Sequence, residues 1–192
     1  MSQKKEIIII DNRDSFTYNL YQIFDEHPLC NITVVYSDQV DLDELDQYDQ
    51  LVLSPGPDVP RAYPILFEIL TRYEDTKPIL GVCLGHQAIG EYYGATLYNV
   101  ARVFHGQTRR LELVTPDLLF QNVTNNTQVG LYHSWALAHD NFPKELLITA
   151  ISNDKVLMAF RHQTKNIRGI QFHPESYITT EGRQMLANWI EQ

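Results

Sequence analysis

Pro78-Ile79-Leu80-Gly81-Val82-Cys83-Leu84-Gly85-His86-Gln87 is the stretch on which the reading of this chain turns. The apolar run Pro78 to Val82 reads as a buried strand. Gly81-x-Cys83-x-Gly85 then turns the chain sharply, and Leu84 to Tyr93 has helical spacing, closed by Gly94 at the C-cap position. So tight a turn needs small neighbours, which Gly81 and Gly85 supply. It leaves Cys83 strained at the carboxyl end of a strand, where the free N–H groups and positive end of the helix favour a thiolate. The Leu84 N–H is placed to receive an oxyanion. The same pentapeptide also reads as a small buried cysteine in a tight strand–helix junction.

Working outward, the same rhythm recurs. Glu6–Ile10 is a strand, followed by the polar turn Asp11–Ser15 and a helix with Phe16, Leu20, Ile23 and Phe24 at its spacing. Asp14 or Ser15 is its expected N-cap. Ile32–Tyr36 and Gln50–Leu53 are further strands, and Arg61 to Tyr73 a helix. After about residue 95 strand-like runs take over, at Arg109–Val114, Gln128–Tyr132, Leu147–Ser152, Val156–Arg161 and Ile167–Phe172. A helix closes the chain at Glu181–Ile190. The expected fold is α/β and three-layered, with a central, mostly parallel sheet flanked by helices and an antiparallel strand-rich second half.

The 192 residues suit one domain, 1–192. An apolar fraction of 44% with 20% charged residues excludes a disordered chain, a collagen or a coiled coil. The net charge of −9 disfavours nucleic acid as a partner. Two cysteines, Cys30 and Cys83, make neither a disulfide framework nor a four-cysteine zinc site. The basic start, Met1 to Glu6, is followed only by Ile7–Ile10 before Asp11, too short for a secretory core. No apolar run approaches the roughly 18 residues that span a bilayer. A cytoplasmic protein with reduced thiols and no membrane contact is expected, and the Asn-x-Thr triplets at Asn31, Asn122 and Asn125 read as chance. The acidic stretch Asp41–Asp46 reads as a solvated short helix rather than a metal site.

A reactive cysteine needs a base. His173 ends the run Gly169-Ile170-Gln171-Phe172, at the carboxyl end of a strand where catalytic groups of such sheets gather. Pro174 stops the strand, and Glu175, two residues on, can accept a hydrogen bond from the imidazole and fix its tautomer. The same triplet also reads as a surface turn. His86, one helical turn past Cys83, points away from the elbow and packs locally. His27, His139 and His162 lie in turn-like contexts. Ser54-Pro55-Gly56-Pro57-Asp58 is a stiff loop that leaves the Gly56 N–H bare as a second oxyanion donor, or is an ordinary rigid turn. Tyr132-His133-Ser134-Trp135 offers a hydroxyl and amides to a polar ligand, or merely turns the chain.

Together these segments resemble the class I, triad-type glutamine amidotransferases. Asp11-Asn12-Arg13-Asp14-Ser15-Phe16-Thr17-Tyr18-Asn19-Leu20 resembles the opening of the chorismate-pathway branch. Ser54–Pro57, Gly81–Gln87 and Phe172-His173-Pro174-Glu175-Ser176 match in the same order and at similar spacing. The likeness runs over essentially the whole chain and points to the small subunits of anthranilate synthase and aminodeoxychorismate synthase. Asn19–Gln22 and Leu186–Ile190 lean toward the aminodeoxychorismate side.

The resemblance implies that Cys83 attacks the side-chain amide of L-glutamine, that His173 carries the proton and that Glu175 orients it. The amides of Gly56 and Leu84 would hold the oxyanion, with Pro57 in the same loop. Gln87, Ser134 and the backbone of Trp135 would contact the bound glutamine. Ammonia would pass to a chorismate-binding synthase subunit, a heteromer that a chain this short also suggests, to make anthranilate or 4-amino-4-deoxychorismate. No cofactor or metal is implied in this chain. Another amidotransferase of the class, a γ-glutamyl hydrolase and a non-catalytic partner subunit are the alternatives. Four positions depart from the family pattern. Leu131 and Trp135 flank Tyr132-His133-Ser134 where arginine and leucine are usual, Asp58 stands where glycine or cysteine is, and Gln107 replaces a lysine after His105-Gly106.

Overall fold

The computed structural model describes residues 4–100 and 105–192. In chain order the elements are β1 (Lys5–Asp11), α1 (Thr17–Asp25), β2 (Cys30–Tyr36), β3 (Gln50–Leu53), α2 (Pro64–Tyr73), β4 (Ile79–Val82) and α3 (Leu84–Tyr92). There follow β5 (Leu97–Asn99), β6 (Gln107–Leu113), β7 (Gln128–Leu131), β8 (Trp135–Leu137), β9 (Leu146–Ser152), β10 (Leu157–His162), β11 (Ile167–Ile170) and α4 (Gly182–Glu191).

Alternation of side chains along the strands divides the core. Ile7 and Ile9 of β1 pack with Leu20 and Phe24 of α1 and with Leu186 and Trp189 of α4. Ile8 and Ile10 face the opposite way, onto Leu66, Ile69 and Leu70 of α2 and Ala88 and Ile89 of α3. The sheet is thus covered on both faces, the three-layer arrangement expected of α/β sequence rhythm. Its strand order is β2-β1-β3-β4-β11-β10-β9-β6-β7. The first five strands run parallel, and β10, β9, β6 and β7 add antiparallel neighbours to their edge. β3, β4 and β11 are buried at every residue, which is why they show no polar–apolar alternation and, but for Gln50 and the Asp117-paired Arg168, carry only apolar residues or glycine. A separate ribbon pairs β5 with β8.

Local chemistry moves two boundaries from their expected places. Neither Asp14 nor Ser15 caps α1: the N-cap is Phe16, with no side-chain cap. Asp14 instead accepts the Phe16 N–H at 2.8 Å, while the Asp11 carboxylate takes the Arg13 N–H and the Thr17 hydroxyl, each at 2.8 Å. The polar turn is tied to its own strand end, so the helix starts later. The helix expected from Arg61 begins at Pro64, whose missing N–H suits the first helical position, after a 3-10 turn over Pro60–Ala62. The ribbon of β5 and β8 was not foreseen, because three-residue strands carry no periodicity.

The end of α3 and the acidic stretch Asp41–Asp46 fold as expected. Gly94 takes a left-handed φ of +96° and ends α3, with the Gly94 and Ala95 N–H groups donating to the Glu91 and Gly90 carbonyls. Asp43–Gln47 is a 3-10 helix in which Asp43 and Asp46 pair with Arg72. Among the described residues no helix is long and apolar enough to cross a membrane, and no group of three or more His, Cys, Asp or Glu is arranged to hold a metal.

Candidate active site

β4 and α3 are joined by Cys83 alone, which adopts φ 53° and ψ −100°, a left-handed backbone that non-glycine residues enter only when their surroundings force it. The force is close packing. A Cβ on Gly85 would stand 2.2 Å from the Leu53 carbonyl oxygen, and one on Gly81 would stand 2.4 Å from the Gly85 backbone. The Cys83 N–H donates to the Ile170 carbonyl at 2.8 Å, so the elbow hangs on the end of β11. The first helical bond runs from the Gln87 N–H to the Cys83 carbonyl at 3.0 Å. The N–H groups of the first turn of α3 are therefore left pointing toward the elbow.

The loop after β3 is clamped from the loop after β1. Asn12, fully buried, donates its amide N–H to the Ser54 hydroxyl and its side-chain NH2 to the Ser54 carbonyl, both at 2.9 Å. The Tyr63 hydroxyl donates to the Pro57 carbonyl at 3.1 Å. Gly56 is pressed between Asn12 and Leu84, where an added Cβ would meet either at 2.6 Å. The two expected oxyanion donors, Gly56 and Leu84, thus lie against one another. Asp58 is exposed at φ 69°, with its carboxylate turned onto the Val59 N–H at 2.9 Å. Its side chain faces solvent at the rim, and glycine at this position would fit the same backbone.

Gly56, Pro57, Asp58, Cys83, Leu84, Gln87, Tyr132, His133, Ser134 and Trp135 line one cavity of about 140 Å³. Trp135 begins β8 opposite Asn99, while its neighbour Ser134 accepts the Val100 N–H at 2.9 Å. Trp135 therefore occupies a non-hydrogen-bonded position of the ribbon, and its N–H and carbonyl both face away from β5. The carbonyl is met by Gln87 Nε2 and His133 Nδ1, each at 2.9 Å, which leaves the Trp135 N–H on the cavity side. Gln87 Nε2 also donates to Gln171 Oε1 at 3.1 Å. With that nitrogen engaged, the polar atom Gln87 has left for a ligand is Oε1. Leu131, where the family pattern has arginine, is fully buried in the core.

Beside this cavity His173 Nδ1 lies 2.6 Å from Glu175 Oε1, with both side chains nearly inaccessible. Pairing fixes Nδ1 toward the carboxylate and leaves Nε2 buried without a hydrogen-bond partner, with Cys83 an electrostatic neighbour of the imidazole. Burial opposes a charged imidazole, but Glu175 and Cys83 outweigh it and raise His173 well above its ordinary value. An imidazole so held can take a proton from sulfur and return it elsewhere. The backbone is pinned as well. The His173 N–H donates to Gly130 at 3.1 Å, and the Thr179 hydroxyl to the His173 carbonyl at 2.6 Å. His86 takes no part. It is wholly buried, its ring packs on Phe160 at 4.7 Å, and burial pushes it down to about 3, so it stays neutral.

Four residues, Phe16, Tyr132, His105 and Gln171, stand beside the triad in places that the sequence did not indicate. Phe16 and Tyr132 roof the His173 ring at 5.1 and 5.0 Å and lie 4.8 Å from each other. The His105 ring stands 5.7 Å from Tyr132, which places the His105-Gly106-Gln107 loop over the roof. Gln171, also fully buried, donates Nε2 to Cys83 Sγ at 3.6 Å. A polar residue between Ile170 and Phe172 in a buried strand was the available signal for it.

Residues 8–192 match the family described as glutamine amidotransferase class-I. An anthranilate synthase component 2 from Pyropia yezoensis is 40% identical over 188 residues, covering 96% of this chain and 98% of that protein. An aminodeoxychorismate synthase component 2 from Escherichia coli strain K12 is 37% identical over 188 residues, covering 97% of this chain and 100% of that protein. The solved structure of a glutamine amidotransferase from Thermotoga maritima matches with a TM-score of 0.72 at 19% identity, over 98% of this chain and 82% of that one, a likeness of fold.

Proposed function

This chain belongs to the class-I glutamine amidotransferase family, and on that premise we propose that it hydrolyses L-glutamine through a thioester on Cys83 and delivers the ammonia to a chorismate-binding synthase subunit. In this reading the Cys83 sulfur attacks the side-chain amide carbon and forms the C–S bond. The oxyanion is received by the N–H groups of Gly56 and Leu84. His173, having taken the thiol proton, gives it to the departing nitrogen as the C–N bond breaks, and ammonia leaves. Water, deprotonated by His173, then cleaves the thioester to glutamate and restores the thiol. Glu175 holds the tautomer and supports the imidazolium between these steps. Gln87 Oε1, Ser134 and the Trp135 N–H face the remainder of the glutamine, beside Pro57. The sequence of steps uses a nucleophile, a proton carrier and water, so no cofactor is assigned to this chain.

The observation that carries the reading is the 2.6 Å Glu175–His173 pair set against a cysteine at φ 53° in a strand–helix elbow. Support for the partner comes from the two relatives above, each named as component 2 of a synthase. One relative is named for anthranilate and the other for aminodeoxychorismate, so both products stay within the proposal. The test is Cys83→Ser, assayed with a chorismate-binding subunit. Glutamine-dependent amination should vanish while ammonia-dependent amination persists. Glutamine use surviving the change would remove Cys83 as the nucleophile.

A further inference from the structure

The contact between Gln171 and the Cys83 sulfur reaches past the triad. Gln171 follows β11, with its backbone N–H donating to the Met158 carbonyl at 2.8 Å and its side chain wholly buried. Its Nε2 faces Cys83 Sγ at 3.6 Å, and its Oε1 faces Gln87 Nε2 at 3.1 Å. The direction of this chain is not arbitrary. The Trp135 carbonyl can only accept, so the Gln87 group that meets it at 2.9 Å is the NH2. That same NH2 requires an acceptor from Gln171, and the Gln171 amide is thereby obliged to present its own NH2 to the sulfur. A backbone carbonyl in one half of the molecule thus sets the polarity of a donor at the elbow.

A buried amide donor aimed at a neutral thiol is poorly used, because a thiol sulfur is a weak acceptor. Aimed at a thiolate it makes a charge-assisted hydrogen bond, roughly twice as strong as a neutral one. We propose that Gln171 is a catalytic residue, a side-chain donor to the Cys83 sulfur that stabilises its anionic form and that Gln87 holds in the competent orientation. Cys83 then has three sources of stabilisation: the imidazole of His173, the amino end of α3 and the Gln171 amide. When the sulfur departs from the thioester carbon as a thiolate, the same donor receives it. Gln87 acquires a second task, since it orients Gln171 as well as lining the cavity. The proposal rests on the reading of Cys83 as the reacting group.

The test titrates the sulfur without glutamine. Alkylation of the full chain by iodoacetamide, followed by mass spectrometry at Cys83, gives the thiolate fraction against pH. The midpoint is the quantity to compare, because a thiolate of higher pKa is intrinsically more nucleophilic and masks part of a rate change. The other ionisable groups around the sulfur are His173, Glu175 behind it, Tyr132 and His133 of the loop before β8 and Asp58 at the cavity rim, and the substitutions leave all five in place. Gln171→Met keeps the volume and removes the donor. Its midpoint should rise by about one pH unit, and alkylation at pH 7 should slow by up to about tenfold, the weight of one charge-assisted bond. Gln87→Leu releases the Gln171 amide to rotate, so its shift and that of Gln171→Met should be non-additive in the double variant.

Thermal melting of each variant separates a lost donor from a lost fold. Gln171→Glu is the second variant: it keeps the shape, opposes a negative sulfur and should shift the midpoint further in the same direction. An unmoved midpoint in folded Gln171→Met overturns the proposal. A wild-type Cys83 that alkylates as an ordinary thiol overturns instead the reading on which it rests.

Discussion

His173 and Glu175 are separated by one proline in the chain and by 2.6 Å between Nδ1 and Oε1, both buried. The short link makes the acid inseparable from the base. Glu175→Gln keeps the shape and removes the charge that helps to hold His173 well above its ordinary value. It also offers an amide that can present the wrong partner to Nδ1. Glutamate release should fall by about 10² to 10⁴ in kcat, with little change in melting temperature. Steady-state rates on folded protein check this, and activity within tenfold of wild type would contradict the assigned role.

Acid stability reports on two other histidines. Burial pushes His86 down to about 3 and His133 to about 4, against roughly 6.5 in the unfolded chain. Both are neutral in the fold, so between about pH 4 and 6.5 the unfolded state binds more protons and stability falls as pH falls. Each group contributes a slope of up to about 1.4 kcal/mol per pH unit. His173, raised rather than lowered, works in the opposite sense. Its contribution is complete below pH 6.5 and is lost as pH rises through its folded value. Urea denaturation of wild type and His86→Phe at pH 7, 6 and 5 should show a shallower acid slope in the variant.

Gly182 opens α4 directly under the triad loop, where an added Cβ would lie 1.8 Å from the Pro174 carbonyl oxygen. Gly182→Ala must push either the helix or Pro174, and Pro174 stands between His173 and Glu175. We expect a loss of about 1–3 kcal/mol in stability together with a drop in glutaminase activity. Denaturant midpoints and rates measured on the same preparations check whether the two losses occur together.

Asp58 at φ 69° is the counterpart at the cavity rim. Asp58→Gly should leave stability within about 1 kcal/mol of wild type, since glycine accepts this backbone without strain. Asp58→Ala keeps the strain and loses the bond to the Val59 N–H, so it should be destabilised by about 1–2 kcal/mol. Equal stability of the two variants would show that the left-handed backbone is not what selects the residue here.

The parallel half of the sheet was legible because β4 is apolar throughout, β3 and β11 are apolar but for Gln50 and Arg168, and Gly81, Cys83 and Gly85 leave few backbone alternatives. The residues of the cavity were legible only as separate loops. Nothing local in Ser54–Pro57 shows that Asn12 clamps it, and nothing in Tyr132–Trp135 shows that its first ring roofs His173. Those relationships join positions tens of residues apart and come into being only on folding. Pro64 was readable as a first helical residue and would have placed the start of α2. The N-cap of α1 was misplaced because Asp11, six residues before Thr17, draws the turn into its own carboxylate. Gln171 went unseen because its partner, Cys83, is 88 residues away.

The proposed activity is release of ammonia from glutamine for a chorismate-binding partner. Glutamate release by the purified chain, alone and with each candidate chorismate-binding subunit plus chorismate, tests it most directly. The rate should be strongly raised by one such subunit, which then also names the product, and abolished in Cys83→Ser. Release that no chorismate-binding subunit alters, from a Cys83 that resists a glutamine-like affinity label, would contradict it.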